Sequence, residues 1–168
     1  ILHSNDNGVA WYPSPGLGIS YYSPGCTNLG SYSTVNTDSE NYVMYSFPSA
    51  PGYFDVVRYT GNSDSNQTVA HSLGSAPGCI IVKNVDKNAD WWVYHVEKGE
   101  QDFGVLNGNN QFNGAVGQDI WSPTDSSFNA AAYLGNNMAG DGYVAYLFGN
   151  TEGLIKCGKF TGTGTPLQ

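Results

Sequence analysis

The sequence predicts an all-β protein, an antiparallel β-sandwich, on three observations. The first is composition. The chain carries 12 Tyr, 7 Phe, 4 Trp and 22 Gly, while strong helix formers such as Lys, Arg, Glu and Leu are scarce. Tyr, Phe, Trp, Val and Thr suit a pleated, half-buried surface, and Gly, Asn, Asp, Ser and Pro form turns. The second is pattern: short alternating or continuous apolar stretches are separated by turn signals, as in a sandwich of about seven antiparallel strands. The third is an internal repeat with a period of about a hundred residues, the size of one small β domain. A β-barrel is the alternative architecture.

The repeat is read residue by residue. Asn28 to Asn62 aligns without gaps to Asn129 to Thr163. Tyr32, Asn36, Tyr42, Val43, Tyr45, Phe47, Gly52, Thr60 and Gly61 meet Tyr133, Asn137, Tyr143, Val144, Tyr146, Phe148, Gly153, Thr161 and Gly162. Glu40 meets Asp141, Phe54 meets Ile155, Arg58 meets Lys159 and Tyr59 meets Phe160. The expected organisation is therefore tandem. Residues 1–51 form the C-terminal part of a preceding unit, 52–151 a complete sandwich unit, and 152–168 the start of the next. Tyr42 to Gly61 and Tyr143 to Gly162 are expected to share one strand, turn and strand.

Each element has its own signal. Asp6-Asn7-Gly8, Pro13-Ser14-Pro15-Gly16 and Ser23-Pro24-Gly25 mark turns. Tyr42 to Phe47 reads as a strand that Pro48-Ser49-Ala50-Pro51-Gly52 breaks. Tyr53 to Thr60 alternates, with Tyr53, Val57 and Tyr59 on one face and Phe54 and Val56 on the other. Thr68 to His71 is short and extended. Cys79 to Lys83 is a near-continuous apolar run, hence a buried central strand. Asp86 to Asp90 is a loop, and Trp91 to Val96 returns as the second strand of a hairpin. Phe103 to Leu106 is a strand, Asn107 to Gln118 a Gly/Asn loop, and Ser126 to Leu134 holds another strand. Tyr143 to Phe148 is apolar on both faces, so it is central or lies under a neighbouring domain.

Composition also excludes. The net charge of −8 argues against nucleic acid, whose binding rests on clustered Lys and Arg. It also disfavours anionic lipid, and no apolar run reaches membrane-spanning length. No basic, apolar and small-residue series at Ile1 has the form of a signal peptide. Cys26, Cys79 and Cys157 are odd in number and widely spaced, so they read as free, buried thiols. No Cys or His stands at zinc-ligand spacing to another.

Gly52-Tyr53-Phe54, Tyr59-Thr60-Gly61-Asn62, Val69-Ala70-His71-Ser72-Leu73-Gly74-Ser75-Ala76-Pro77, Ile80-Ile81-Val82-Lys83 and Trp92-Val93-Tyr94-His95 follow one another along the chain. Leu106-Asn107, Pro123-Thr124-Asp125-Ser126-Ser127-Phe128 and Gly140-Asp141-Gly142 running into Tyr143 to Phe148 complete the series. This composite resembles a repeated domain of tailed-bacteriophage tail-fibre and virion structural proteins, of the marine and freshwater phage type. The match covers roughly Gly52 to Gly162, and Ile1 to Cys26 departs from it. The resemblance implies a virion appendage on the extracellular phage particle and multimeric assembly. It implies no catalytic residue, cofactor or metal.

Candidate chemistry is thin. His71 and His95 are the obvious catalytic suspects, yet no Gly-x-Ser-x-Gly elbow accompanies them, and both read as structural imidazoles at strand ends. Glu40, Glu97, Glu100 and Glu152 are the only glutamates, and no pattern sets a pair on facing strands for glycoside cleavage. Asp86-x-Asn88-x-Asp90 has the front half of a calcium loop but lacks its Gly and closing Glu. Trp91 and Trp92 point to opposite faces of one strand. Trp92 is assigned to the core, and Trp91 outward, to an interface or a glycan. Asn107, Asn109 and Asn110 supply amides that suit sugar hydroxyls. Tyr143, Tyr146 and Phe148 are the candidate self-association residues, since one small core has little room for both faces of their strand.

The expected function is a non-enzymatic virion structural protein. Its tandem domains extend the particle and help to present a host-binding surface. Its expected partners are further copies of itself, other virion proteins and a host-surface glycan. A carbohydrate-binding module of a larger protein is the alternative, and a glycan-degrading tailspike the second alternative.

Overall fold

The computed structural model of this chain describes residues 19–23, 26–31, 33–114, 117 and 119–164. The turn signals at Asp6-Asn7-Gly8 and Pro13 to Gly16, and the Pro24-Gly25 step, lie outside them. β1 (Ile19–Ser23) and β2 (Cys26–Leu29) form an antiparallel hairpin, and α1 (Ser33–Asn36) is a single turn. The rest is built from β3 (Phe54–Thr60), β4 (Gln67–Ala70), β5 (Cys79–Asn84), β6 (Trp91–His95), β7 (Asp102–Val105), β8 (Asn113–Gly114), β9 (Ser127–Ala130) and β10 (Gly142–Phe148). Six strands form one sheet in the order β3-β10-β5-β6-β7-β8, and β4 pairs with β9 in a second. Every pairing is antiparallel. The large sheet keeps two edges, at β3 and β8, so it is a sandwich-like fold and not a closed barrel.

Period-two alternation decides which side chains meet. Val57 and Tyr59 of β3, Ile80 and Val82 of β5, Trp92 and Tyr94 of β6, and Tyr143, Ala145 and Leu147 of β10 all face the core. Val69 of β4 and Phe128 and Ala130 of β9 close it from the other layer. β10 lies between β3 and β5, which explains a strand with no polar face. Ile120 and Trp121 fill the space between the layers at 1% and 0% exposure, although they stand on a loop. The Trp121 indole N–H donates to the Asp102 carbonyl at 3.0 Å, so its one polar group is satisfied in the core.

The first and last strands of the unit are neighbours: Phe54 stands opposite Phe148 and Thr60 opposite Gly142. Both ends of the unit therefore lie at one pole. The two turns there touch. The Gly149 N–H donates to the Tyr53 carbonyl at 2.8 Å, and Thr151 Oγ1 donates to the Gly52 carbonyl at 2.8 Å.

The repeated segments fold alike where contacts are local. The Tyr53 and Phe54 N–H groups share the Ala50 carbonyl, as those of Leu154 and Ile155 share that of Thr151. Gly52 and Gly153 both hold left-handed φ, 71° and 76°, which only Gly adopts freely. The Tyr42 hydroxyl accepts from the Thr37 N–H and donates to the Ser33 carbonyl. That of Tyr143 accepts from Met138 N–H and donates to the Gly135 carbonyl. The strands differ. Tyr42 to Phe47, expected as a strand, is unpaired and exposed, and so is most of 155–161. A strand needs a ladder partner, and here the first and last strands of a unit partner each other. The aligned copies at 42–47 and 155–161 each lack that mate among the described residues.

Candidate functional site

The face of the large sheet turned away from the core carries the surface most suited to recognition. Strand register places its side chains in cross-strand rows. Val56, Tyr146, Ile81 and Val93 form one row across β3, β10, β5 and β6. Phe54, Phe148, Cys79 and His95 form the row beside it towards the pole where the chain enters and leaves. Arg58, Val144, Lys83 and Trp91 form the row on the other side. Val56 is 43% exposed, and Tyr146, Ile81, Val93 and Phe148 are half-buried. The middle row is thus apolar from edge to interior and open to solvent.

The polar end of this face is closed by a loop. Lys83 is fully buried, and its ammonium donates to the Ala89 carbonyl at 3.1 Å and lies 3.5 Å from that of Lys87. Directly opposite, Trp91 is 6% exposed. The outward assignment of Trp91 is therefore corrected. It does lie on the face opposite Trp92, but the loop from β5 to β6 folds back over that end of the sheet. Trp92 is the less buried of the two and packs edge-on against Phe103. Asn107 is brought to Trp91, yet not as a sugar ligand: its Oδ1 accepts from the Trp91 N–H and its Nδ2 donates to Asp90. Asn109 and Asn110 are exposed and stand apart from any aromatic platform built by Trp91. Residues 115, 116 and 118 of that loop lie outside the described residues. Asp86 accepts from the Gly142 N–H, so the Asp86 to Asp90 loop is tied to the sheet through its carboxylates.

Tyr143 is also corrected. It is 1% exposed, stacks on Tyr59 at 5.0 Å and belongs to the core, because its parity on β10 is that of Ala145 and Leu147. Tyr146 and Phe148 have the other parity and sit on the outer face. Phe148 joins Phe54 and Phe47 in an aromatic cluster with centroids 5.0 to 5.7 Å apart. Phe47 precedes the unit in sequence, so this cluster fastens the incoming chain to the sheet.

An open groove of about 380 Å³ runs along the β3 edge, lined by Asp55, Val56, Val57, Arg58, Ala70, His71 and Ser72. Its polar groups are already engaged. Asp55 accepts from the Ser72 N–H and hydroxyl, the Val56 N–H and the Ser49 hydroxyl. Burial raises the Asp55 pKa, but these bonds outweigh it and hold the carboxyl below its ordinary value. His71 Nδ1 accepts from the Leu73 N–H, and His95 Nδ1 from the Glu97 N–H, each two residues on. Burial lowers the His71 pKa, partly offset by the Asp55 charge. Both imidazoles thus brace the chain as it leaves a strand. Cys79 and Cys157 are free and half-buried, and burial pushes the Cys79 thiol up to about 12. The side chain of Cys26 lies outside the described residues.

A family described as a domain of unknown function, DUF7483, matches residues 54–166. The chain belongs to the DUF7483 family. No curated protein and no solved structure matches the chain. The DUF7483 match opens at Phe54, the first residue of β3, and so takes in both sheets of the sandwich and the aromatic pole. Among the described residues no helix is long and apolar enough to cross a membrane.

Proposed function

We propose that this chain is a structural component of a phage virion, a tail-fibre-like array of β units that displays a host-binding surface. The observation that carries the reading is the composite sequence resemblance from Gly52 to Gly162. The apolar outer row supports the display role. An exposed apolar row on a sheet whose other face already holds a complete core is the kind of surface that docks a partner. Its partners are further copies of the chain, other virion proteins and a glycan of the host surface, on the extracellular particle. No catalytic step or cofactor enters the reading.

The adjacency of β3 and β10 favours display over reach. A unit whose two ends touch adds little length to a tandem array, so repeated units crowd along a short spine. Crowded weak sites give avidity. The test is mass spectrometry of purified particles of a phage encoding the chain, together with an adsorption assay. The chain is expected in the particles, and the purified protein is expected to slow adsorption to host cells. Its absence from the particles overturns the reading.

A further inference from the structure

Segment 41–47 aligns with the greater part of β10, and segment 155–161 with β3, at the constant offset of the repeat. β10 and β3 pair over their whole length. The two aligned segments pair with no strand among the described residues, and not with each other within one copy. They also hold the most exposed large apolar side chains: Val43 and Tyr45 at 81% and Phe160 at 84%.

We propose that segment 41–47 of one copy pairs antiparallel with segment 155–161 of a second copy, in the register that β10 and β3 use. The observed register transfers directly: Ala145 opposite Val57 becomes Met44 opposite Gly158, and Tyr146 opposite Val56 becomes Tyr45 opposite Cys157. The hydrogen-bond phase transfers as well. The Gly149 N–H bonds the Tyr53 carbonyl and the Gly61 N–H that of Asp141, so the pairs between alternate from there. Met44 with Gly158 is then a hydrogen-bonded pair, and Tyr45 with Cys157 is not.

The edge chemistry agrees. On β3 the Val56 N–H, which points away from β10, is held by Asp55 Oδ1. In the copy the equivalent Cys157 N–H is held by Asn150 Oδ1. The outer edge of the segment is therefore occupied, and the edge that would meet segment 41–47 is left free to pair. The occupant is a second copy because this chain holds the matching half of the same ladder. One two-stranded ribbon is marginal alone. Each copy carries both halves, so the exchange closes reciprocally in a pair or runs on head to tail. The inference needs only the repeat and the observed pairing, and stands whether or not the virion reading does.

Light scattering of the 168-residue chain over a range of concentrations tests it. A mass of two chains or more is expected. Met44→Pro and Gly158→Pro each remove an N–H from a hydrogen-bonded pair, and each is expected to return the mass to one chain with the melting temperature of the central unit unchanged. Register is tested by Tyr45→Cys, which sets a thiol opposite Cys157 at the close, non-hydrogen-bonded spacing that suits a disulfide. Glutathione disulfide serves as oxidant: the two thiols give up two electrons and two protons, forming the S–S bond, and the glutathione leaves as two thiols. A covalent dimer is expected, absent when Tyr45→Cys is combined with Cys157→Ser and absent for Met44→Cys, whose side chain points to the other face. A monomer at every concentration overturns the proposal. So does an oligomer that survives both proline variants, or a Tyr45→Cys dimer that forms without Cys157.

Discussion

Gly149 has no room for a side chain. A Cβ there would collide with the Gly52 carbonyl oxygen, and backbone cannot swing aside as a flexible side chain does. Gly149→Ala is expected to destabilise the unit by about 1–3 kcal/mol, the usual range for overpacking, read as a lower midpoint in urea. Trp121→Ala leaves both a cavity and an unpaired Asp102 carbonyl, at about 3–5 kcal/mol. Acid should act in two stages. The His71 pKa is lowered in the fold, so below about 6.5 the unfolded chain takes up a proton that the native state resists, and stability falls. The Asp55 pKa is lowered too, so its contribution is present above 3.8 and is lost as pH falls through the lower native value. Melting temperatures measured between pH 7 and pH 5 should fall for the wild type and stay flatter for His71→Gln. At this scale the sequence was legible wherever alternation alone decides. It placed Trp91 and Trp92 on opposite faces correctly. It could not tell which is more buried, because the cover over Trp91 comes from a loop whose path alternation does not encode. Ile120 and Trp121 escaped notice for the same reason: they are core residues without a period.

At the scale of elements, β10 and β3 offer a matched test of the two faces. Leu147 is fully buried and Val56 is 43% exposed. Leu147→Ala is expected to cost about 2–5 kcal/mol and Val56→Ala within about 0.5 kcal/mol, measured by denaturant titration. Equal costs would mean that the outer face is covered as well as the core. The strands β3, β5, β6 and β10 could be read from the sequence because each carries a clear run bounded by turn residues. Tyr42 to Phe47 carries the same run as Tyr143 to Phe148 and forms no strand. The difference is not in the segments. A ladder is a property of two strands, and pattern reports only one of them. The hydroxyl ties of Tyr42 and Tyr143 and the paired turns at Ala50 and Thr151 need only nearby residues, and they recur faithfully. The candidate surface was half legible. Tyr146 and Phe148 were named from their strand, whereas the row that joins Tyr146 to Val56, Ile81 and Val93 depends on register across four strands.

For the whole molecule, amide hydrogen exchange should follow the pairing. Amides of β10 and β5, paired on both sides, are expected to exchange slowest, and those of 43–48 and 158–162 fastest. Uniform protection across both groups would show that the terminal segments are already paired in solution. The meeting of both ends at one pole also decides how a unit bears tension. Pulling on Gly52 and Thr151 loads the β3–β10 ladder at Phe54 and Phe148 first, and its bonds break in succession, like a zipper. A sandwich pulled from opposite poles would resist with the whole ladder in shear. Once β10 leaves, the core loses Tyr143, Ala145 and Leu147 together, and the unit should open in one step. Each opening releases chain at about 3.3–3.6 Å per residue. Strung in tandem, such units would make a tether that yields at low force and lengthens in steps, absorbing a jolt between a particle and a moving cell rather than transmitting it.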